Sequence, residues 1–172
     1  MNPVLKPLFA RRSIRQFSDQ DLDDACIRDL LSAAMAAPSA VAKDPWRFVV
    51  VRGQTTRNDI AALLPNGGML AQAPVGIIVC GDIEAAHGGE LSFLLQDCSA
   101  AIENLLLAAS MLGLGACWLG VHPRQERIDG IRRILAIPDH VVPVSAIALG
   151  HPGEQKPGRT RFREAHVHHE TW

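Results

Sequence analysis

The sequence predicts an α+β fold in which one mixed or antiparallel sheet is flanked by helices. Two short runs rich in β-branched residues, 47–52 and 75–80, are bounded by proline and glycine, which is typical of buried strands. Residues 91–112 are apolar on nearly every side, as expected for a helix in the middle of a core. The chain has 172 residues, 48% of them hydrophobic, which suffices for one such core. We therefore expect a single domain over residues 1–172.

The remaining elements follow from periodicity and from helix-ending residues. A helix is predicted after Asp21, a candidate N-cap, because small or apolar residues recur every four positions as far as Ala37. Residues 115–120 are predicted to form a strand between glycines. Pro123 has the residue type favoured at a first helical position, which predicts a further helix that ends at Pro138. A last strand is expected over 142–149, before a polar tail.

Charge and cysteine content exclude several classes of function. Lys and Arg number 17 against 18 Asp and Glu, so the broad basic surface of a nucleic-acid-binding protein is not expected. The four cysteines form no CxxC pair and the terminal HVHH lacks carboxylate or cysteine ligands at suitable spacing, so we predict no metal site. Reduced cysteines and the lack of a signal-like apolar segment predict a cytoplasmic protein.

Residues 104–121 carry no charge and approach the length of a membrane span. Glycines at 113, 115 and 120 interrupt this stretch, which favours a buried helix, a turn and a strand. We therefore predict no contact with a membrane.

Two local basic groups occur near opposite ends of the sequence. The first contains Arg11, Arg12 and Arg15 around Ser13, and the second contains Arg159 and Arg161, with Lys156 as a weaker member. Guanidinium groups present planar donor pairs that match phosphate oxygens. Two interpretations remain open from the spacing: both groups are solvated surface charges, or they converge on one dianionic phosphate.

Five separated motifs run through nearly the whole chain: RRSIRQF, AAPSAVAKDPWRFVVV, QDCSAAIENLLLAA, GLGACWLG and ALGHPGEQKPGRTRF. Together and in this order they resemble the nitroreductase family. The resemblance implies an α/β sandwich that forms a homodimer, with the long helix at the dimer core. It also implies tightly bound FMN at the interface and NADH or NADPH as co-substrate.

The same resemblance implies which positions contact the flavin, while no side chain is expected to act as a catalytic group of its own. Arg15 is expected to favour reduction of the ring by its positive charge. Backbone amides in GLGACWLG are expected near flavin N5. The implied FMN-binding residues are Arg11, Arg12, Ser13, Arg15, Pro38, Ser39, Ala42, Asp44, Leu119, Gly120, Arg159 and Arg161.

Two of these positions depart from the family pattern. Where the family commonly has Asn and then Gln before Pro-Trp, this chain has Ala42 and Asp44. Alanine forms no side-chain hydrogen bond, and a carboxylate beside the ring would disfavour its reduction. Two functions therefore remain: a ping-pong reductase of flat acceptors such as nitroaromatics or quinones, or a flavin-binding protein without reductase turnover.

Overall fold

The computed structural model describes residues 2–172, so Met1 of the expected domain lies outside the described part. Four strands form one sheet in the order β1-β2-β4-β3, and each neighbouring pair is antiparallel. The strands are β1 (Trp46–Val51), β2 (Val75–Asp82), β3 (Gly115–Gly120) and β4 (Val141–Gly150). The predicted α+β class is confirmed, with an antiparallel sheet.

Helices cover both faces of this sheet. They are α1 (Lys6–Ala10), α2 (Asp24–Met35), α3 (Gln54–Ala62), α4 (Gly68–Gln72), α5 (Leu91–Met111) and α6 (Gln125–Leu135). Residues of α2 and α5 pack into one buried cluster on the first face. Residues of α3, α4 and α6 pack into a second cluster on the opposite face.

Strand β2 shows why the strands lack a polar side. Successive side chains of a strand point to opposite faces. Ile77 and Val79 belong to the cluster under α2 and α5, whereas Ile78 and Cys80 belong to the cluster under α3, α4 and α6. Because both faces of the sheet are covered, both sets of side chains are apolar.

The long helix α5 is buried along much of its length but not all round. Leu94, Ile102 and Leu105 are fully buried, whereas Leu91, Phe93 and Met111 are exposed. By length and composition alone α5 could cross a membrane. The chain leaves the helix at Leu112, turns at Gly113 with φ of 75°, and enters β3. The predicted order of helix, turn and strand over 104–121 is confirmed.

Three predicted helix ends were wrong. The N-cap of α2 is Asp23, whose carboxylate accepts the Cys26 N–H at 2.7 Å, while Asp21 accepts the N–H of Leu22. Pro123 lies in the turn before α6, which begins at Gln125. The helix ends at Leu135, before Pro138, because Ala136 adopts a left-handed conformation with φ of 52°.

The cysteines are free thiols, and three of them are buried. Burial raises the pKa of Cys80 and of Cys98 to about 12, and it raises the pKa of Cys117 as well. A thiol with a raised pKa is a poor nucleophile at neutral pH. These three cysteines therefore serve as packing residues rather than as nucleophiles.

Candidate functional site

The segment that carries the first basic group runs beside the edge strand β3. Ser13 forms an isolated parallel bridge with Ala116, and the Ile14 N–H donates to the Ala116 carbonyl at 3.1 Å. The Ile14 side chain covers Gly115, where an added Cβ would lie 2.7 Å from Ile14 Cγ2. This close approach requires glycine at position 115 and fixes Arg11 to Arg15 along the edge of the sheet.

The polar tail after β4 returns to the same edge. The Arg12 guanidinium donates to the Pro157 carbonyl at 2.5 Å, and the Arg159 N–H donates to the Phe9 carbonyl at 3.0 Å. These contacts join segments almost 150 positions apart in sequence and bring the second basic group next to the first.

Glu154 is the polar link between the tail and the first basic segment. Its carboxylate accepts the Lys156 ammonium at 2.7 Å and the Arg15 N–H at 2.6 Å, and Lys156 also donates to the Ser13 carbonyl at 3.0 Å. The hydrogen bond from Lys156, followed by the one from the Arg15 N–H, lowers the pKa of Glu154. The carboxylate therefore stays ionised to a lower pH than an ordinary Glu.

Acid is expected to release this link. Because the pKa of Glu154 is lower in the folded state, its ionised contacts stabilise the folded protein above the ordinary pKa of 4.5. This contribution to stability is lost as the pH falls through the lowered pKa. The protection factor of the Arg15 amide against hydrogen exchange should therefore decrease below pH 4.5. In Glu154→Gln it should already be low at neutral pH, whereas Glu164→Gln, an exposed acid of the same tail, should match the native protein. Full protection of Arg15 in Glu154→Gln would contradict this role.

The two basic groups line one pocket of about 350 Å³. Its lining residues are Leu8, Arg11, Arg12, Ser13, Arg15, Arg159 and Arg161. Of these, Arg11 pairs with Glu103 on α5, with 3.0 Å between Nε and Oε1. The neighbouring charges of Arg161 and Arg12 lower the pKa of Arg159. A dianionic phosphate would relieve this repulsion, so the donors present fit such a group.

A second opening, which we call the β3 cleft, adjoins the basic pocket and has a volume of about 510 Å³. Arg15 lines both openings. The cleft is also lined by Leu119 and Gly120, two of the positions for which the family resemblance implies contact with the flavin, and by Trp118. A cationic pocket that continues into a wider, partly apolar cleft suits a ligand with a phosphate and a flat ring.

Sequence reasoning missed part of the β3 cleft. The cleft is also lined by Leu64, Pro65 and Asn66 of the connection between α3 and α4, by Met69 of α4 and by Arg127 of α6. The Arg127 guanidinium donates to the Gly120 carbonyl at 2.9 Å. These residues lie outside the five motifs, and neither α3 nor α4 had been predicted. Only the tertiary packing of α3, α4 and α6 on one face of the sheet brings them to β3.

The predicted contacts Pro38, Ser39, Ala42 and Asp44 lie elsewhere. Within residues 2–172, neither the β3 cleft nor the basic pocket is lined by this loop. Ser39 Oγ donates to Asp44 Oδ1 at 2.5 Å and accepts the Asp44 N–H at 2.9 Å. One carboxylate oxygen of Asp44 is thus already hydrogen-bonded inside the loop.

The loop is strained and is held to α5. Val41, Ala42 and Asp44 have φ of 53°, 52° and 50°, a left-handed conformation that is costly for a β-branched residue such as Val41. The carboxylate of Asp97 accepts the Ala40 N–H at 2.9 Å. This bond supplies the partner that a carboxylate on a buried helix needs, although its Oδ2 has no hydrogen-bond partner among the described residues.

One group outside these openings has the composition of a metal site. Ligand atoms of Asp82, Glu84 and His140 lie within 4.8 Å of one another. Arg47 already pairs with Asp82 at 2.8 Å, and Asp82 Oδ1 accepts the Glu84 N–H at 3.1 Å. Asp82 therefore has structural partners that account for its charge, and the expectation of no metal stays a prediction.

Sequence and structure comparisons agree with this geometry. The sequence model of the nitroreductase family matches residues 8–67 and 61–151, which include α2, α5, all four strands and the first basic group. The chain belongs to the nitroreductase family. A relative from Methanothermobacter thermautotrophicus, provisionally named NADH dehydrogenase/NAD(P)H nitroreductase, is 46% identical over 98% of this chain and 87% of its own.

Two solved structures of nitroreductase relatives have the same fold. A protein from Parabacteroides distasonis with the same provisional name superposes with a TM-score of 0.93, at 35% identity and over 100% of both chains. An FMN-dependent nitroreductase from Clostridium difficile gives a TM-score of 0.88 at 27% identity, over 96% of this chain and 98% of that one. The nitroreductase fold expected from the motifs is thus confirmed.

Proposed function

We propose that this nitroreductase-family protein is an FMN-dependent oxidoreductase. It transfers hydride from NADH or NADPH, through the flavin, to a flat acceptor such as a nitroaromatic or a quinone. The observation that carries the proposal is the basic pocket that continues, through Arg15, into the β3 cleft. The relative named as an FMN-dependent nitroreductase supports the choice of cofactor.

The chain's own residues would hold the two ends of FMN. Arg11, Arg12, Arg159 and Arg161 would bind the phosphate, with Ser13 as an additional donor. Arg15, Leu119 and Gly120 would hold the ring in the β3 cleft. When bound, FMN supplies the group that accepts and passes on the hydride. The protein binds it, orients it and places the positive charge of Arg15 beside it.

We also propose a cytoplasmic homodimer in which residues 1–172 form a single FMN-binding domain. Met111 of α5 is 65% exposed and Val41 is 71% exposed, and Leu91 and Phe93 in the first turn of α5 are exposed as well. Exposed apolar surface of this kind marks an interaction site. In a dimer the loop that contains Pro38, Ser39, Ala42 and Asp44 would reach the flavin held by the partner subunit.

A second candidate is a flavin-binding protein without reductase turnover. Ala42 offers no side-chain hydrogen bond and Asp44 brings a carboxylate, so ring reduction by a nicotinamide is less favourable than with an amide at these positions. The hydrogen bond from Ser39 to Asp44 withdraws one oxygen of this carboxylate and weakens its effect on the ring.

Anaerobic spectroscopy separates the two candidates. The purified protein is mixed with FMN, desalted, and followed by visible absorbance while NADH and then NADPH are added. Retained flavin that bleaches, and recovers its colour when a nitroaromatic or quinone is supplied, is the expected result. Retained flavin that stays yellow with both nicotinamides would favour the binding protein. A protein that retains no flavin would contradict both candidates.

A further inference from the structure

We propose that Arg127 selects electron acceptors that carry a carboxylate, so that this protein prefers anionic aromatic acceptors to neutral ones of the same shape. The inference rests on the proposed reductase function and assigns a role to a cleft residue outside the five motifs. Arg127 lines the β3 cleft but not the basic pocket, so its charge is separate from the group that would bind the phosphate.

The guanidinium of Arg127 is held in place before any ligand binds. Arg127 lies in the first turn of α6 and is half-buried, and its Nη1 donates to the Gly120 carbonyl at 2.9 Å. A guanidinium has five N–H donors, so this one bond leaves others available. Because one donor is already fixed, a carboxylate that binds the rest orders the side chain at little further entropic cost.

The charge of Arg127 is not neutralised by a neighbouring acid. Among residues 2–172, Arg127 forms no ion pair, and no carboxylate lines the β3 cleft. The nearby acid Asp129 accepts from Gln125 at 2.8 Å and pairs with Arg132 at 3.3 Å. An anionic ligand in the cleft would thus be the counter-charge that the fold itself does not provide.

The rest of the lining suits a flat ring that bears this anion. Trp118 is 39% exposed, and Pro65 and Met69 add apolar surface to the lining. An aromatic ring is held by such surfaces through dispersion and stacking, while a single charged contact fixes its orientation. Arg127 would therefore decide between acceptors that have the same ring and differ only in charge.

The test compares two acceptors of nearly equal shape, 4-nitrobenzoate and 4-nitrobenzamide, on the FMN-loaded protein. They differ in intrinsic ease of reduction, so the measure is how the ratio of their kcat/KM values changes between variants. In Arg127→Gln the ratio should move roughly tenfold toward the amide, the effect of one charge-assisted contact. In Arg127→Lys, which keeps the positive charge, the ratio should lie between that of the native protein and that of Arg127→Gln. Arg124→Gln removes an exposed charge of the same turn and should leave the ratio as it is.

A binding measurement complements the kinetics. Benzoate, which cannot be reduced, should perturb the visible spectrum of the bound flavin, and its Kd should rise roughly tenfold in Arg127→Gln. Added salt should weaken benzoate binding to the native protein more than to the variant.

Several outcomes would overturn the proposal. An unchanged ratio in Arg127→Gln, or an equal change in Arg124→Gln, would rule out selection by this side chain. A rise of the KM for NADH with a constant acceptor ratio would assign Arg127 to the diphosphate of the donor instead. An equal loss of rate with both acceptors, together with a shifted flavin reduction potential, would make it a residue that tunes the ring. A protein that retains no FMN, or whose FMN neither nicotinamide reduces, would overturn the proposed function and this inference with it.

Discussion

The double variant Arg11→Ala with Arg161→Ala is expected to bind FMN about 10² to 10⁴ times more weakly than the native protein. Each lost hydrogen bond from a charged donor costs about 1.5–3 kcal/mol, and every 1.4 kcal/mol is a factor of about ten in Kd. The two side chains reach the basic pocket from opposite ends of the sequence, so both halves of the pocket are tested together. The measurement is a fluorescence titration of the apoprotein with FMN.

Riboflavin provides the ligand control, because it has the same ring and no phosphate. Its affinity should differ little between the native protein and the double variant. Arg163→Ala removes an exposed cation of the same tail that does not line the pocket and should leave FMN affinity unchanged. Removing Arg11 also leaves Glu103 without its ion-pair partner, and the unpaired carboxylate would repel the phosphate. Adding Glu103→Gln to the double variant separates this repulsion from the loss of the arginine contacts. Native FMN affinity in the double variant would contradict the assignment of the pocket.

Gly67→Ala is expected to destabilise the protein by about 1–3 kcal/mol or more, the usual cost of overpacking a buried site. A Cβ at this position would lie 2.0 Å from the Ala61 carbonyl oxygen and 2.6 Å from its carbon, and all the nearest atoms belong to backbone. No flexible side chain can move aside, so α3 and α4 must separate. Asn66, the preceding residue, lines the β3 cleft, and FMN retention should therefore fall as well.

The adjacent glycine provides the matched control. A Cβ at Gly68 would meet nothing within 4 Å, and Gly68 is the first residue of α4. Alanine is favoured over glycine in helices by about 0.5–1 kcal/mol, so Gly68→Ala should keep or slightly increase the stability. Urea unfolding of both variants without FMN gives the comparison. Equal midpoints for Gly67→Ala and Gly68→Ala would show that the connection between α3 and α4 tolerates the extra carbon.

Local hydrophobic pattern explains why the strands and α5 could be predicted from sequence. Strand β2 is buried along nearly its whole length, and α5 has buried apolar residues at helical spacing from Leu94 to Ala109. Helix α3 has the sequence QTTRNDIAA, where only Ile60 and Ala61 contribute buried apolar side chains. Its single helical turn of apolar residues is too short to show a period, so its position depends on packing against α4 and α6.

The candidate site, too, could be predicted only in part from the sequence. Each basic group is visible in the sequence as a local cluster, but their meeting depends on the bridge between Ser13 and Ala116 and on the contact of Arg159 with Phe9. Neither interaction leaves a local pattern. Asn66 and Arg127 have no distinguishing neighbours in sequence and become site residues only through the fold. The sequence alone shows that Asp44 departs from the family pattern, but it does not show the hydrogen bond between Asp44 and Ser39.

The origin of the basic pocket from two distant segments also bears on the order of events during synthesis. The last strand ends at Gly150, whereas Arg159 and Arg161 leave the ribosome later. The residues of the sheet are therefore synthesised before the second basic group, and the basic pocket can form only after both. A translation product that stops soon after β4 would contain all four strands and lack Arg159 and Arg161, two of the cations that line the pocket.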